Sequence, residues 1–143
     1  MNKAGIRPAR PTGISSESEP TMKYLCLVYL DEQRLDELPD EECVAYDRAI
    51  RDSGHCIASE ALQSVQTATT VRVRNGRVSV TDGPFAETKE QLAGFYLLEA
   101  RDLNEAIQLA AKVPPARVGS VEVRPVRPIR ESVAALQARH AES

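Results

Sequence analysis

Asp82, His55, Glu60, Glu122 and Arg124 are the residues of this chain whose types could carry acid–base chemistry. A carboxylate serves as acid or base once its surroundings bring its pKa near the working pH, and an imidazole titrates there unaided. Asp82 closes the run "TTVRVRNGRVSVTD". Asn75-Gly76 is the favoured two-residue hairpin turn. Counting outward pairs Arg74 with Arg77, Val73 with Val78, Arg72 with Ser79 and Val71 with Val80. The four valines then share one face, and Asp82, two residues beyond Val80, joins them. An aspartate at the edge of an apolar face needs partners, because an unpaired buried charge is costly. Its carboxylate either accepts N–H groups around Gly83 and Pro84, or it serves as acid, base or ligand group at a pocket mouth.

The next residues, "GPFAETKE", add Phe85, Glu87, Lys89 and Glu90. Phe85 reads as a loop anchor or as a ring that stacks on a ligand. Glu87, Lys89 and Glu90 read as a solvated loop, or as groups for inter-subunit pairing or substrate positioning. Arg72 and Arg74, on the polar hairpin face, are the cations that could meet them. The expectation is that Asp82 and Phe85 chiefly hold the loop, with a pocket role second.

Glu60 and Glu122 fall in strands, and Arg124 shares a strand face with Glu122. They read as a structural ion pair at a sheet edge or as lining of a pocket. His55 follows a helix stop and reads as a satisfied surface histidine or as a general base. The other histidine, His140, lies in the C-terminal tail.

Much other chemistry is excluded. Cys26, Cys43 and Cys56 are odd in number and form no CxxC pair, which argues against a disulfide framework or structural zinc. They read as small buried hydrophobes in a reducing, cytoplasmic setting. His55 and Cys56 are strand neighbours and point to opposite faces. There is no phosphate cradle, HExxH motif or nucleophilic triad. Neither a metal nor a cofactor is expected. A net charge of −3 gives no nucleic-acid footprint. The longest apolar run, Tyr24 to Leu30, is far below the roughly 20 residues of a membrane span.

The elements that must position these residues follow from periodicity. "KYLCLVYL", 23–30, is a strand apolar enough for burial on both faces. A helix over 39–53 starts at Pro39 with Asp40, Glu41 and Glu42 in its first turn and stops at Gly54. Its inward stripe is Cys43, Tyr46 and Ile50. A strand at 55–62 precedes the hairpin, and another covers 94–100. Asp102 caps a second helix with Glu105 in the reciprocal capping-box position, and its stripe is Leu103, Ala106, Ile107 and Ala110. Pro114-Pro115 ends it. The last strand covers 120–126, with Pro125 marking an edge. Residues 1–21 carry three prolines and few large apolar side chains, so disorder is expected there. Met22, directly before the first strand, reads as an alternative start. Residues 131–140 have the pattern of a short amphipathic helix. The organisation is thus an extension at 1–21, one domain at 22–128 and a tail at 129–143.

Without the hairpin the order is βαββαβ, an α+β chain on the ferredoxin-like plan. Both helices cover one sheet face, and the other is too apolar for water. A second copy packed sheet to sheet as a homodimer is the expected cover.

"DGPFAETKEQLAGFYLLEA", with "SEAL" upstream and "GSVEVRPV" downstream, resembles the DGPF branch of the YCII-related family over about residues 22–128. The resemblance implies a ferredoxin-like protomer assembled into a dimeric α/β barrel. It further implies an accessory role beside extracytoplasmic-function sigma factors. The functional expectation is a small-molecule-binding or accessory protein. The alternative is an enzyme acting on a small organic molecule in the barrel pocket through acid/base carboxylates. Another branch of the family is associated with a His–Asp pair. The matching positions here fall near Cys43 and Pro114, so the resemblance supplies no such pair.

Overall fold

The computed structural model describes residues 20–129. The expectations for most of the N-terminal extension, for a helix at 131–140 and for His140 lie outside the described residues. The elements are β1 (Met22–Leu30), α1 (Asp40–Asp52), β2 (Cys56–Ala61), β3 (Thr69–Arg74), β4 (Arg77–Asp82), β5 (Gln91–Ala100), α2 (Leu103–Ala110) and β6 (Ser120–Pro125). Short 3-10 helices occupy Glu32–Glu37, Val65–Thr67 and Pro114–Arg117. The main sheet has four strands in the order β2-β5-β1-β6, all antiparallel. This α+β arrangement is compatible with a ferredoxin-like fold. β6 is an edge strand, where Pro125 leaves no ladder donor missing.

β1 shows how the sheet divides. Tyr24, Cys26, Val28 and Leu30 are buried, while Leu25, Leu27 and Tyr29 between them are half-buried. Among the described residues of the single chain, cover for β1 is found only on the helix side. On that side Cys26 and Leu98 pack with Ile50 of α1 and Ala110 of α2, and Tyr24 packs with Ala100 and Ala106. Burying a side chain such as Ile50 or Leu98 stabilises by about 1.5–3 kcal/mol. On the uncovered side Leu27 faces Phe95 and Glu122, and Phe95 faces Glu60.

α2 packs through a face turned from the expected one. Leu103 and Ile107 are each 48% exposed, whereas Ala106 and Ala110 are buried and Leu109 packs beside them. Small alanines let the helix approach the sheet closely, and Leu109 fills the gap that remains. The Asp102 cap is present, accepting from the Glu105 N–H at 2.9 Å. Its reciprocal partner shifts by one residue: Glu105 accepts from the Arg101 N–H at 2.8 Å.

The hairpin has the expected register, Thr69 opposite Asp82 through Arg74 opposite Arg77. Asn75 (φ 54°) and Gly76 (φ 78°) both take the left-handed conformation that a type I′ turn requires. β3 and β4 form a separate two-stranded sheet.

Candidate functional site

β4 ends at Asp82, and Gly83 turns the chain with φ 110°. Its N–H donates to the Ala68 carbonyl at 2.8 Å, and its own carbonyl accepts the Thr70 hydroxyl at 2.8 Å. The loop is thus clamped to the base of β3 by Gly83, not by Asp82. The Asp82 carboxylate is exposed and, among the described residues, has no hydrogen bond or ion pair. The expected turn-holding role of Asp82 is corrected accordingly. Phe85 is 79% exposed, so it does not anchor the loop by packing.

Past Phe85 the segment is fixed by Gln91. Its Nε2 donates to the Thr88 carbonyl at 2.8 Å, and its Oε1 accepts the Glu32 N–H at 3.1 Å. Glu32 in turn accepts from the Val65 N–H at 2.7 Å and the Ser64 hydroxyl at 2.9 Å. These bonds tie three separate stretches around a cleft of about 810 Å³. Its apolar walls include Tyr29, Leu62, Val65, Pro84, Phe85 and Leu92, and Glu87 and Thr88 add polar groups. That volume suits a small organic ligand. Neither Glu32 nor Gln91 stood out in the sequence, because their partners lie 33 and 59 residues away.

The acid–base candidates are spread across the protomer. Glu60 and Glu122 occupy one cross-strand row but sit on opposite edge strands. Three strand spacings, about 14 Å, separate their positions. Glu122 pairs with Arg124 at 3.7 Å, and both side chains are exposed, so this is an edge ion pair. His55 Nδ1 lies 2.8 Å from the Glu99 carbonyl oxygen, an arrangement in which Nδ1 carries the proton. Its Nε2 is 4.0 Å from Glu105. Burial works to raise the Glu105 pKa, but the Arg101 N–H and guanidinium together lower it below the ordinary value. Among the described residues, Arg72, Arg74, Glu87 and Lys89 form no ion pairs. Glu90 bonds Ser120 at 2.9 Å.

A second cleft, about 610 Å³, lies between α1 and the helix side of the sheet. Here the Tyr96 hydroxyl donates to Asp47 at 2.6 Å, and Arg51 donates to Ser59 at 2.9 Å. The Tyr96 ring meets Tyr46 edge to face, with centroids 5.4 Å apart. Burial, then the bond to Asp47, pushes the Tyr96 phenol well above its ordinary pKa. Cys43 also lines this cleft, and burial followed by Asp47 raises its thiol. A phenol–carboxylate pair beside a guanidinium can position and exchange a proton. Cys43, Asp47 and Arg51 stand four residues apart, one helical face, and that spacing was the available signal for this cleft. Among the described residues no group of three or more His, Cys, Asp or Glu is placed to hold a metal. No helix there is long and apolar enough to cross a membrane.

Comparison with known proteins agrees with the architecture. Over 114 residues the chain is 38% identical to an uncharacterized protein of Rhizobium meliloti (strain 1021), covering 73% of this chain and 92% of that relative. Residues 22–130, the whole of both clefts included, match the YCII-related domain, and the chain belongs to that family.

Proposed function

We propose that the protein is a small-molecule-binding or accessory protein of the DGPF branch of the YCII-related family, acting in the cytoplasm as a homodimer. The observation that carries this reading is the cleft of about 810 Å³ walled by the DGPF segment. Its apolar walls and few polar groups suit an organic molecule with an apolar body and one polar end. The dimer reading rests on the half-buried Leu25, Leu27, Tyr29, Phe95 and Leu97, which the helices leave uncovered. Two ferredoxin-like protomers joined through these faces would form a dimeric α/β barrel. The accessory role carries with it a sigma-factor partner, testable by co-purification from the native host.

A thermal-shift screen of metabolites against the wild type and Leu92→Lys tests the cleft. Leu92 is a partly exposed wall residue, so the variant should fold. A ligand that binds only the native state raises the melting temperature by mass action. The reading expects a compound that stabilises the wild type and not the variant. No stabilising compound, or equal shifts in both proteins, would sink it.

An enzyme acting on a small organic molecule is a second reading, favoured by the Tyr96–Asp47 pair in the cleft of about 610 Å³. In that reading Asp47 is the acid/base carboxylate and Tyr96 holds its proton. It requires a compound turned over by the wild type and left intact by a folded Tyr96→Phe variant. Equal rates would eliminate it.

A further inference from the structure

The cleft walled by Tyr29, Phe85 and Leu92 has spent most of its own side-chain donors. The hydroxyl of Ser64 donates to Glu32, that of Thr67 to the Ser64 carbonyl, and that of Thr88 to the Glu90 carbonyl. The Gln91 amide donates to the Thr88 and Lys89 carbonyls. The 3-10 turn at Val65–Thr67 has its N–H groups occupied as well. Glu32 accepts from Val65, the Ser64 hydroxyl oxygen from Gln66, and the Ser64 carbonyl from Thr67. A carboxylate of the chain itself thus takes the donors that an anionic ligand would need.

The walls keep acceptor capacity instead. Among the described residues no Lys, Arg or His lines the cleft, and its one charged wall residue is Glu87. The Glu87 carboxylate is exposed and, among the described residues, has no hydrogen bond or ion pair. Two residues before it the Phe85 ring stands 79% exposed. A carboxylate beside an open aromatic face attracts a cation both by its charge and through the ring quadrupole. The side-chain donors that remain, the Tyr29 phenol and the Gln63 and Gln66 amides, are neutral. An anionic ligand would therefore meet no cation to offset its charge.

We propose that this cleft takes an arylalkyl amine in its ammonium form, the nitrogen donating to Glu87 beside Phe85 and the aromatic body lying against Tyr29 and Leu92. The inference rests on the cleft reading above and adds to it the chemical class of the ligand.

NMR titration of the full chain with phenethylamine, hydrocinnamyl alcohol and hydrocinnamate tests it. The three probes share a phenyl ring on a short chain and end in a positive, a neutral and a negative group. The wild type should bind the amine about tenfold more tightly than hydrocinnamate, with shifts at Phe85 and Leu92. Glu87→Gln keeps the size of an exposed side chain, so the variant should fold. It should bind the alcohol as the wild type does and lose the preference for the amine. Equal or tighter binding of hydrocinnamate overturns the cation assignment, and the cleft reading survives if that binding shifts Phe85 and Leu92. An amine preference unchanged in Glu87→Gln, or amine shifts confined to other residues, overturns the proposal. Binding of none of the three overturns the ligand class, while the cleft reading still answers to the metabolite screen.

Discussion

Tyr96 on β5 and Asp47 on α1 meet across the helix–sheet boundary, the phenol donating to the carboxylate at 2.6 Å. The bond ties α1 to a central strand at the point where a cleft would otherwise separate them. Tyr96→Phe keeps the edge-to-face contact with Tyr46 and removes only the hydroxyl. A hydrogen bond to a charged acceptor in a half-open setting is worth about 1–2 kcal/mol. Urea unfolding should show a loss of that size. Asp47→Asn combined with Tyr96→Phe should cost less than the two single changes added together. Strict additivity would mean that the two groups do not interact in solution.

Gly119 precedes β6 and lies directly against β1. A Cβ there would overlap the Tyr29 carbonyl oxygen and crowd Leu30. The obstacle is backbone inside the sheet, so no side-chain rotation relieves it. Gly119→Ala should cost about 3 kcal/mol, the upper part of the range for overpacking. Gly54→Ala meets nothing within 4 Å, although its φ of 83° carries a left-handed penalty of about 1 kcal/mol. Calorimetry should therefore rank Gly119→Ala well below Gly54→Ala in melting temperature. The reverse order would refute the close approach of β1 and the β6 entry.

The parts of this fold that were legible are those encoded over a few residues. Asn75-Gly76 fixes the hairpin register because few other dipeptides take two left-handed conformations in succession. Asp102 announces α2 because its carboxylate answers a donor three residues on. Long-range choices left no such trace. The α2 sequence contains two apolar stripes in different phase, and only the sheet selects Ala106, Leu109 and Ala110 over Leu103 and Ile107. Asp82 drew attention through its register, but the turn beyond it is held by Gly83, Ala68 and Thr70. Tyr96 and Asp47 are 49 residues apart, and nothing local to either names the other.

Glu105 gives a pH dependence whose sign is fixed. Its folded pKa lies below the ordinary 4.5, because its bonds to Arg101 outweigh the cost of burial. The stabilisation is therefore present above the unfolded-state pKa and is lost as pH falls through the folded one. Glu105→Gln should be about 1 kcal/mol less stable than the wild type at pH 7, the size of a typical hydrogen bond. The gap should close as pH drops below about 4, where the unfolded glutamate takes up its proton. Urea titrations from pH 7 to pH 3 would measure it. A gap that persists or widens in acid would show that Glu105 is not held as a carboxylate.

Cys43 lines the same cleft as Asp47 and Tyr96, so its reactivity bears on what that cleft can do. A thiolate nucleophile needs an electropositive setting. Cys43 has the opposite: burial raises its pKa, and Asp47, Asp40 and Glu42 raise it further against Arg117 alone. Cys26 is fully buried, and burial pushes its thiol up to about 11. Alkylation by iodoacetamide at pH 8, followed by peptide mass mapping, should find Cys43 slower than a free thiol and Cys26 unmodified until the protein unfolds. Asp47→Asn removes the largest carboxylate repulsion of a Cys43 thiolate and should speed its alkylation. A Cys43 that already reacts faster than free cysteine would overturn this account and make the cleft a candidate for thiol chemistry.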